Sequence, residues 1–323
     1  MHGRALWVAV TAALLAAALP AAAQNNYPNK SVRFVVPFAP GGGTDIIGRI
    51  IAQALGEALG QPVVVDNRGG AGSTLGTEIV AKSPADGYTL LFGNISLAFN
   101  ATLYQKLSYD AQRDLAPITL AAVQPNIVVI HPSLPAKNLR EFIDLARANP
   151  GKYNYASAGV GSGTHLAAEL LKMLTKTNLV HIPYKGTGPA LNDLVGGQVN
   201  MMVSTFASAL PHVKSGRLRA LGVTTTKRSP AAPDVATLIE GGVAGFDYST
   251  WYGVFAPRGT PKPIIDKLHA TTHKVLAREE IKNRLDGQGV DAIVNSPAEF
   301  AAYLKSETDK WGKVVKATGA KGE

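Results

Sequence analysis

The sequence contains no cysteine. This absence excludes disulfide bonds, thiol nucleophiles and metal sites with cysteine ligands. After residue 19 the chain also lacks any apolar run long enough to span a bilayer, because runs such as residues 127–130 have the length of a single strand. Its 32 Lys and Arg residues exceed its 23 Asp and Glu residues, but they form no basic cluster, so we expect no nucleic-acid partner.

The first residues have the pattern of a secretory signal peptide. Arg4 precedes an uncharged apolar stretch over residues 5–19, Pro20 interrupts this stretch, and small residues follow up to Ala23. The stretch is shorter than the roughly 20 residues of a transmembrane helix. We therefore predict that residues 1–23 are a signal peptide cleaved after Ala23, and that the mature chain is soluble and located in the periplasm.

The mature chain begins with alternating strands and helices. Ile46, Ile47, Ile50 and Ile51 recur at helical spacing, whereas the segments on either side of this helix are short and rich in Val. The predicted strands cover residues 31–38, 62–66 and 88–92, and the predicted helices cover residues 44–59 and 73–82. This order implies a parallel sheet with helices on its faces.

The same pattern recurs later in the chain. Strands are predicted at 126–131, 154–158, 179–183, 199–204 and 218–224, with helices at 139–148, 164–174 and 189–196. A strand at 252–255 and helices at 263–277 and 297–317 resume the first unit. We therefore predict an α/β fold of two doubly wound lobes with a ligand cleft between them. Lobe one comprises residues 24–123 and 251–323, and lobe two comprises residues 124–250.

Two Gly-rich turns each join a predicted strand to a predicted helix. They read FAPGGGTD at residues 38–45 and AGVGSGTH at residues 158–165. Such a turn presents free backbone N–H groups beside the positive end of the helix dipole, so it binds carboxylate or phosphate without Arg or Lys. Thr44, Ser162 and Thr164 add hydroxyl donors. Because ligands bind at the carboxyl ends of such strands, we expect both turns to line one cleft that suits a dicarboxylate or an amino-acid-like ligand.

Three enzyme or cofactor motifs are incomplete. Ile46 occupies the position of the third glycine of a dinucleotide fingerprint. Val160 and Thr164 flank Ser162 where the elbow of an α/β-hydrolase requires glycines. His269 and His273 lie four residues apart, but no Glu follows His269 as a zinc-protease motif requires. We predict a protein that is not an enzyme and has no cofactor or metal site, and an exported hydrolase is the least favoured alternative.

Two charged residues beside the turns are each compatible with two interpretations. Asp45 either stabilises the N-terminus of its own helix or receives the ammonium group of an amino-acid ligand. Lys185 belongs to a third strand-end turn, Tyr184-Lys185-Gly186. It either contacts an anionic ligand or lies in solvent.

Several long stretches carry a family resemblance. They include VRFVVPFAPGGGTDIIGR from Val32, VVVDNRGGAGSTLGTEIVAKSPADGYTLL from Val63, YASAGVGSGTHLAAELL from Tyr155, and HIPYKGTGPALNDLVGGQVNMM from His181. Across essentially its whole mature length the chain resembles the Bug-type (TctC-like) receptors, the solute-binding components of tripartite tricarboxylate transporters. The resemblance implies a Venus-flytrap fold that closes on a small carboxylate. It also implies the membrane components of such a transporter as partners.

The resemblance also implies which residues form the pocket. From lobe one these are Phe38, Ala39, Gly41, Gly43, Thr44, Asn94 and Ser96, to which we add Asp45. From lobe two they are Ala158, Gly161, Ser162, Gly163, Thr164, His165, Tyr184, Lys185, Ser204 and Thr205.

Two positions depart from the family pattern. Leu97 stands where relatives often have His, and Ser204 stands where relatives often have Asp. The loss of an acidic group at Ser204 favours a plain carboxylate over an amino acid, although di- and tricarboxylates, aromatic carboxylates and amino acids all stay in the ligand set. We expect a monomeric transport receptor. The alternative is a periplasmic sensor that presents its ligand to a signalling partner.

Overall fold

The structure is a computed structural model that describes residues 26–322. The predicted signal peptide and its cleavage site lie outside the described residues. The strands of the described part are β1 Val32–Val36, β2 Val63–Asn67, β3 Thr89–Asn94, β4 Leu115–Ile130, β5 Asn154–Ser157, β6 Val180–Pro183, β7 Met201–Thr205, β8 Arg219–Val223, β9 Ser249–Pro257 and β10 Asp291–Ala292. The α-helices are α1 Gly43–Leu59, α2 Thr74–Ala81, α3 Ser96–Leu103, α4 Ala111–Asp114, α5 Leu139–Ala148, α6 Gly163–Thr175, α7 Thr187–Val195, α8 Phe206–Lys214, α9 Lys262–Leu276, α10 Glu279–Asp286 and α11 Pro297–Thr318.

Strand β1 is the middle strand of a parallel triplet, with β2 on one side and β3 on the other. Successive side chains of a strand point to opposite faces of the sheet. Phe34 accordingly packs in a cluster with Ile47 of α1, while Val35 packs in another cluster with Val80 of α2. Helices cover both faces, which explains why β1 is apolar except for Arg33.

The second half of the chain repeats this arrangement. Strand β5 lies between β6 and β7 and is parallel to both. The strand order β2-β1-β3-β9 on one side matches β6-β5-β7-β4 on the other, with β9 antiparallel to β3 and β4 antiparallel to β7. These two units confirm the predicted two-lobed α/β fold. We call the unit built on β1–β3 the first lobe and the unit built on β5–β8 the second lobe.

Strand β4 belongs to both lobes. Its residues from Leu115 to Pro125 pair with β9, and its residues from Asn126 to Ile130 pair with β7 and β8. The sequence predicted only the second part as a strand, because Pro117 and Pro125 disfavour a central strand. The register with β9 shifts just after Pro117, so the irregularity accommodates this proline. Together β4 and β9 connect the two lobes.

Three helices of eight or nine residues were not predicted from the sequence. Helix α8 contains Pro211, and a proline in the interior of a helix normally kinks or breaks it. Helix α3 is largely buried and contains Asn100, so it has no amphipathic period to recognise. Helix α10 follows α9 after a break at Arg278, and its apolar face is reduced to Ile281 and Leu285. Tertiary packing determines all three of these short elements.

The longest described helix, α11, packs along the first lobe. Its N-terminus has a capping box in which Ser296 and Glu299 bond each other's backbone N–H groups. Phe300 packs against Phe255 at a ring-centroid distance of 4.9 Å, and Trp311 packs against Phe99 at 5.4 Å. The opposite face of α11 is polar, and across residues 26–322 we find no helix with both the length and the apolarity needed to cross a membrane.

Candidate functional site

The two Gly-rich turns lead from the carboxyl ends of β1 and β5 into the N-termini of α1 and α6. Glycine is required where the backbone is left-handed, as at Gly41 with a φ of +84°. It is also required where elements approach closely. A Cβ on Gly43 would lie 2.8 Å from Thr205 Oγ1, and a Cβ on Gly163 would lie 2.6 Å from the Tyr248 hydroxyl. The glycines therefore let both helix N-termini reach the space between the lobes.

A cavity lies between these two helix N-termini. Its volume is about 10 Å³, which is room for about one water molecule. Its lining comes from both lobes and, among the described residues, contains no charged side chain: Phe38, Gly42, Thr44, Asn94, Ala158, Ser162, Gly163, Thr164, Thr187, Thr205 and Thr250. The cavity is therefore a small space walled mainly by hydroxyl, amide and backbone groups.

Hydrogen bonds join the lobes across this cavity. The N–H of Gly43, at the start of α1, donates to Thr205 Oγ1 of the second lobe at 3.2 Å. The N–H of Gly163, at the start of α6, donates to Ser96 Oγ of the first lobe at 3.2 Å. Each helix N-terminus thus bonds to a hydroxyl of the opposite lobe, and the structure is a closed conformation.

The hydroxyls of the second turn are oriented by that turn itself. Ser162 is the N-cap of α6, and its Oγ accepts the N–H of His165 at 3.3 Å. Thr164 Oγ1 accepts the N–H of Ala158 at 2.8 Å and lies 3.1 Å from Ser162 Oγ. Because a hydroxyl has one donor and two acceptor positions, both side chains keep hydrogen-bonding capacity toward the cavity.

In the first lobe, Asn94 orders the cavity wall at the end of β3. Its Nδ2 donates to Thr44 Oγ1 at 3.1 Å, and its Oδ1 accepts the N–H of Ser96 at 3.0 Å. All three residues are buried. Asn94 therefore links the start of α1 to the start of α3 and fixes the position of the Thr44 hydroxyl.

Asp45 lies behind the first turn rather than in the cavity wall. Its carboxylate accepts the N–H of Gly41 at 3.0 Å and the side-chain amide of Asn67 at 2.9 Å. It also forms an ion pair with Arg49 at 3.0 Å. Asp45 is 4% exposed as a residue, and these bonds direct its carboxylate at its own lobe. Its contacts are those of a residue that positions the turn.

Tyr184 and Lys185 lie at the rim of the cleft and do not line the cavity. The Tyr184 hydroxyl donates to the Asp193 carboxylate at 2.6 Å, and burial raises the pKa of Tyr184 to about 12. The side chain of Lys185 is exposed, while its backbone carbonyl accepts the N–H of Ala39 at 3.0 Å. Lys185 thus contributes its backbone to the contact between the lobes.

A stack of three rings supports the second turn from behind. The His165 and His181 rings lie 4.3 Å apart, and Tyr155 stacks on His181 at 4.7 Å. His165 Nδ1 accepts the N–H of Gly161 at 3.3 Å. Burial lowers the pKa of His165 to about 4, and burial together with the neighbouring His165 lowers the pKa of His181 to about 3. Both imidazoles are therefore neutral at pH 7.

The structure divides the predicted site residues into two groups. Those that line the cavity are Phe38, Thr44, Asn94, Ala158, Ser162, Gly163, Thr164 and Thr205. Those that lie around it are Ala39, Gly41, Gly43, Asp45, Ser96, Gly161, His165, Tyr184, Lys185 and Ser204. Ser204 is buried, with its Oγ 3.3 Å from Ser208 Oγ.

Three lining residues were not predicted from the sequence. Gly42 and Thr187 could have been found, because Gly42 lies inside the first turn and Thr187 begins a helix directly after the strand-end turn at Tyr184. Thr250 gives no such signal, since it lies within β9 and its direction depends on which face of the sheet meets the cleft.

The described residues contain no assembled metal site. Within residues 26–322, no three His, Asp or Glu side chains come close enough to hold a metal ion. His269 instead has its Nε2 3.0 Å from the backbone carbonyl of Asn295.

Comparisons with known proteins place this geometry in a family. The family model described as "Tripartite tricarboxylate transporter family receptor" (TctC) matches residues 47–320. BugT of Bordetella pertussis is 38% identical over 299 residues, which cover 92% of this chain and 92% of that protein.

Solved structures agree with this match. The periplasmic binding protein BugD superposes with a TM-score of 0.89 at 35% identity, over 92% of this chain and 100% of that chain. Rpa4515 of R. palustris with adipate gives 0.88 at 35% identity, over 91% and 98%. MatC of Rhodopseudomonas palustris with bound malate gives 0.85 at 36% identity, over 90% and 100%. The family consists of periplasmic solute-binding receptors, which confirms the expectation that the chain is not an enzyme. The chain belongs to the TctC family of tripartite tricarboxylate transporter receptors.

Proposed function

We propose that this receptor captures a small dicarboxylate between its lobes and delivers it to the membrane components of a tripartite tricarboxylate transporter. The observation that carries the proposal is the pair of helix N-termini, at Gly43 and Gly163, that meet at one cavity. The described residues that line this cavity include no charged side chain. Each N-terminus carries roughly half a positive charge. Two of them suit a ligand with two anionic groups.

The hydroxyls around the cavity support the same ligand class. Thr44, Ser162 and Thr164 line it beside the helix N-termini, and hydroxyl and backbone donors bind carboxylate oxygens well in a desolvated cleft. An amino acid would need an acceptor for its ammonium group. Asp45 is already bonded to Gly41, Asn67 and Arg49, so a dicarboxylate without an amino group is favoured. The binding of adipate by Rpa4515 and of malate by MatC is consistent with this class.

The size of the cavity implies that binding requires the lobes to open. A space of about 10 Å³ cannot admit a dicarboxylate. We propose that residues 24–123 with 251–323 move as one body and residues 124–250 as the other, with β4 and β9 as the hinge. Hinge closure of this kind buries a ligand and creates a shape that a partner can recognise. The family implies an extracytoplasmic location, for which the predicted signal peptide would supply export.

Thermal melting of residues 24–323 against a panel of dicarboxylates, monocarboxylates and amino acids tests the proposal. A ligand at 100 times its Kd adds about 2.7 kcal/mol to the free energy of unfolding, which raises Tm by several degrees. We expect dicarboxylates to give the largest shift, and calorimetry then gives the Kd. A response to amino acids alone would overturn the ligand class. Unfolding and refolding the protein first removes any carried-over ligand. If no compound of the panel then raises its Tm, the proposal of a carboxylate receptor is overturned.

Delivery to a transporter needs a second experiment. Uptake of the labelled dicarboxylate by cells that express the membrane components should depend on this receptor. Binding without such dependence would favour the sensor alternative. Size-exclusion chromatography with light scattering would test the expected monomer.

A further inference from the structure

Asn126 lies at the point where β4 passes from its pairing with β9 in one lobe to its pairing with β7 in the other. In the sheet it is paired with Thr205 of β7, and paired residues of an antiparallel sheet project from the same face. Its Oδ1 accepts the hydroxyl of Thr250 at 2.7 Å. Thr205 and Thr250 both line the cavity, so Asn126 adjoins two residues of the cavity wall, although it does not itself line the cavity.

The nitrogen of this carboxamide has no partner. Asn126 is 0% exposed, and its Nδ2 is one of the few buried side-chain polar atoms without a hydrogen bond among the described residues. Leaving such a donor unsatisfied costs about 1–3 kcal/mol, and native proteins keep few of them. Gln124, on the same face of β4, shows the contrast, because its Nε2 and Oε1 are both bonded, to Tyr252 and to the N–H of Ala207.

We propose that the Asn126 Nδ2–H group donates to a carboxylate oxygen of the ligand. It thereby selects for a carboxylate, rather than an ammonium group, at the end of the ligand that lies deepest in the cleft. The proposal rests on the dicarboxylate function proposed above. Because the Thr250 hydroxyl donates to the amide oxygen, the group that Asn126 leaves without a partner is its Nδ2 donor. An acceptor such as a carboxylate satisfies it, whereas an ammonium group places donor against donor. Asn126 therefore acts together with the absence of acidic lining residues to exclude ligands that carry an ammonium group at that end.

Two variants and two matched ligands test the assignment. The ligands are the tightest dicarboxylate of the panel and the ω-amino acid of the same chain length, which for adipate is 6-aminohexanoate. Asn126→Ser replaces the carboxamide by a shorter, uncharged side chain that cannot reach the position of Nδ2. We expect the dicarboxylate Kd to rise about tenfold or more, which is the usual effect of losing a hydrogen bond to a charged group. Asn126→Asp replaces the donor by a carboxylate. We expect it to weaken dicarboxylate binding more than Asn126→Ser does, and to lower the ratio of the ω-amino acid Kd to the dicarboxylate Kd relative to wild type.

Asn295→Asp is the matched control. Asn295 Oδ1 accepts the N–H of Leu120 in the first lobe, so the aspartate keeps that acceptor and changes the charge outside the cleft. Its Kd values should equal those of wild type. An equal loss of affinity for both ligands in the Asn126 variants would mean a damaged hinge and would overturn the proposal.

A measurement on the wild-type protein covers the case in which the variants do not fold. In a ¹⁵N-resolved NMR spectrum, the side-chain NH₂ resonances of Asn126, assigned by selective labelling, should shift strongly when the dicarboxylate is added. Resonances that do not move while the dicarboxylate binds would overturn the Asn126 assignment and leave the proposed function intact. A wild-type protein that binds no dicarboxylate would instead overturn the proposed function itself.

Discussion

The backbone N–H of Gly43 donates to the hydroxyl of Thr205 across the cleft, at 3.2 Å and 162 residues apart in sequence. The N–H of Gly163 makes the equivalent bond to Ser96 in the opposite direction. Each lobe therefore supplies both a helix N-terminus and the hydroxyl that receives the other lobe's N–H. The same groups that offer positive charge to an anion also hold the lobes together.

Thr205→Val should shift the receptor toward its open conformation. Valine has the shape of threonine but cannot accept the Gly43 N–H, and a hydrogen bond of this kind contributes about 0.5–1.5 kcal/mol. We expect a larger radius of gyration without ligand in small-angle X-ray scattering, and a dicarboxylate Kd raised several-fold. Thr260→Val is the control, because its hydroxyl donates to Pro257 within the first lobe. Equal scattering curves for wild type and Thr205→Val would contradict the role of this bond.

Gly43→Ala should keep the protein folded but prevent full closure. A Cβ at this position would lie 2.7 Å from Gln124 Nε2 and 2.8 Å from Thr205 Oγ1, closer than side chains pack. We expect ligand affinity to fall by about 100-fold, since a separation of the helix N-termini weakens every charge-assisted bond at once. Gly287→Ala, at the end of α10 with an ordinary helical φ of −60°, should bind normally. Calorimetric titration of both variants with the dicarboxylate measures this difference in affinity.

Ser162→Ala should reduce both stability and binding. Ser162 caps α6, and the loss of an N-cap costs about 1 kcal/mol in the free energy of unfolding. Ser296→Ala is the matched control, because Ser296 caps α11 far from the cavity. The two variants should lose similar stability in urea unfolding, whereas only Ser162→Ala should weaken ligand binding. Equal affinity in the two variants would show that the Ser162 hydroxyl does not contact the ligand.

Stability should fall as the pH decreases from about 6.5 toward about 4. The folded-state pKa values of His165 and His181, about 4 and about 3, lie below the ordinary histidine value near 6.5. In this window the unfolded chain binds more protons than the folded chain, so protonation favours unfolding. Of the charged neighbours of His165, Glu169 raises its pKa and Lys172 lowers it.

Urea unfolding at pH 7, 5.5 and 4.5 measures this dependence. His165→Phe keeps a ring against His181 but removes one titrating group, so its midpoint should decline less steeply with pH. A variant midpoint that follows the wild-type curve at every pH would contradict the assignment of the slope to His165.

Local sequence patterns were sufficient for the units that build the site. The apolar residues of β1, the Gly-rich turn after it and the isoleucines of α1 all act within a few residues of one another, and the same holds from β5 to α6. Caps and turns of this kind depend on neighbouring residues, because their hydrogen bonds close within one helical turn. Eight of the eighteen predicted site residues line the cavity, and six of these eight belong to the two Gly-rich turns, while their contact with a ligand stays a prediction.

Long-range pairing was needed for the remainder of the site. The first part of β4 is a strand because it pairs with β9, more than 100 residues later, and its prolines conceal this in the sequence. The placement of Asp45 behind its turn and of Lys185 at the rim likewise depends on partners from distant segments.

Residue order alone was enough to establish two strand–turn–helix units whose free N–H groups suit an anion. Only the folded molecule could establish that these units face each other over one cavity, and that Thr250 of β9 lines it. The physical reason is that a strand residue can point to either face of its sheet, and the choice depends on which face the rest of the chain covers.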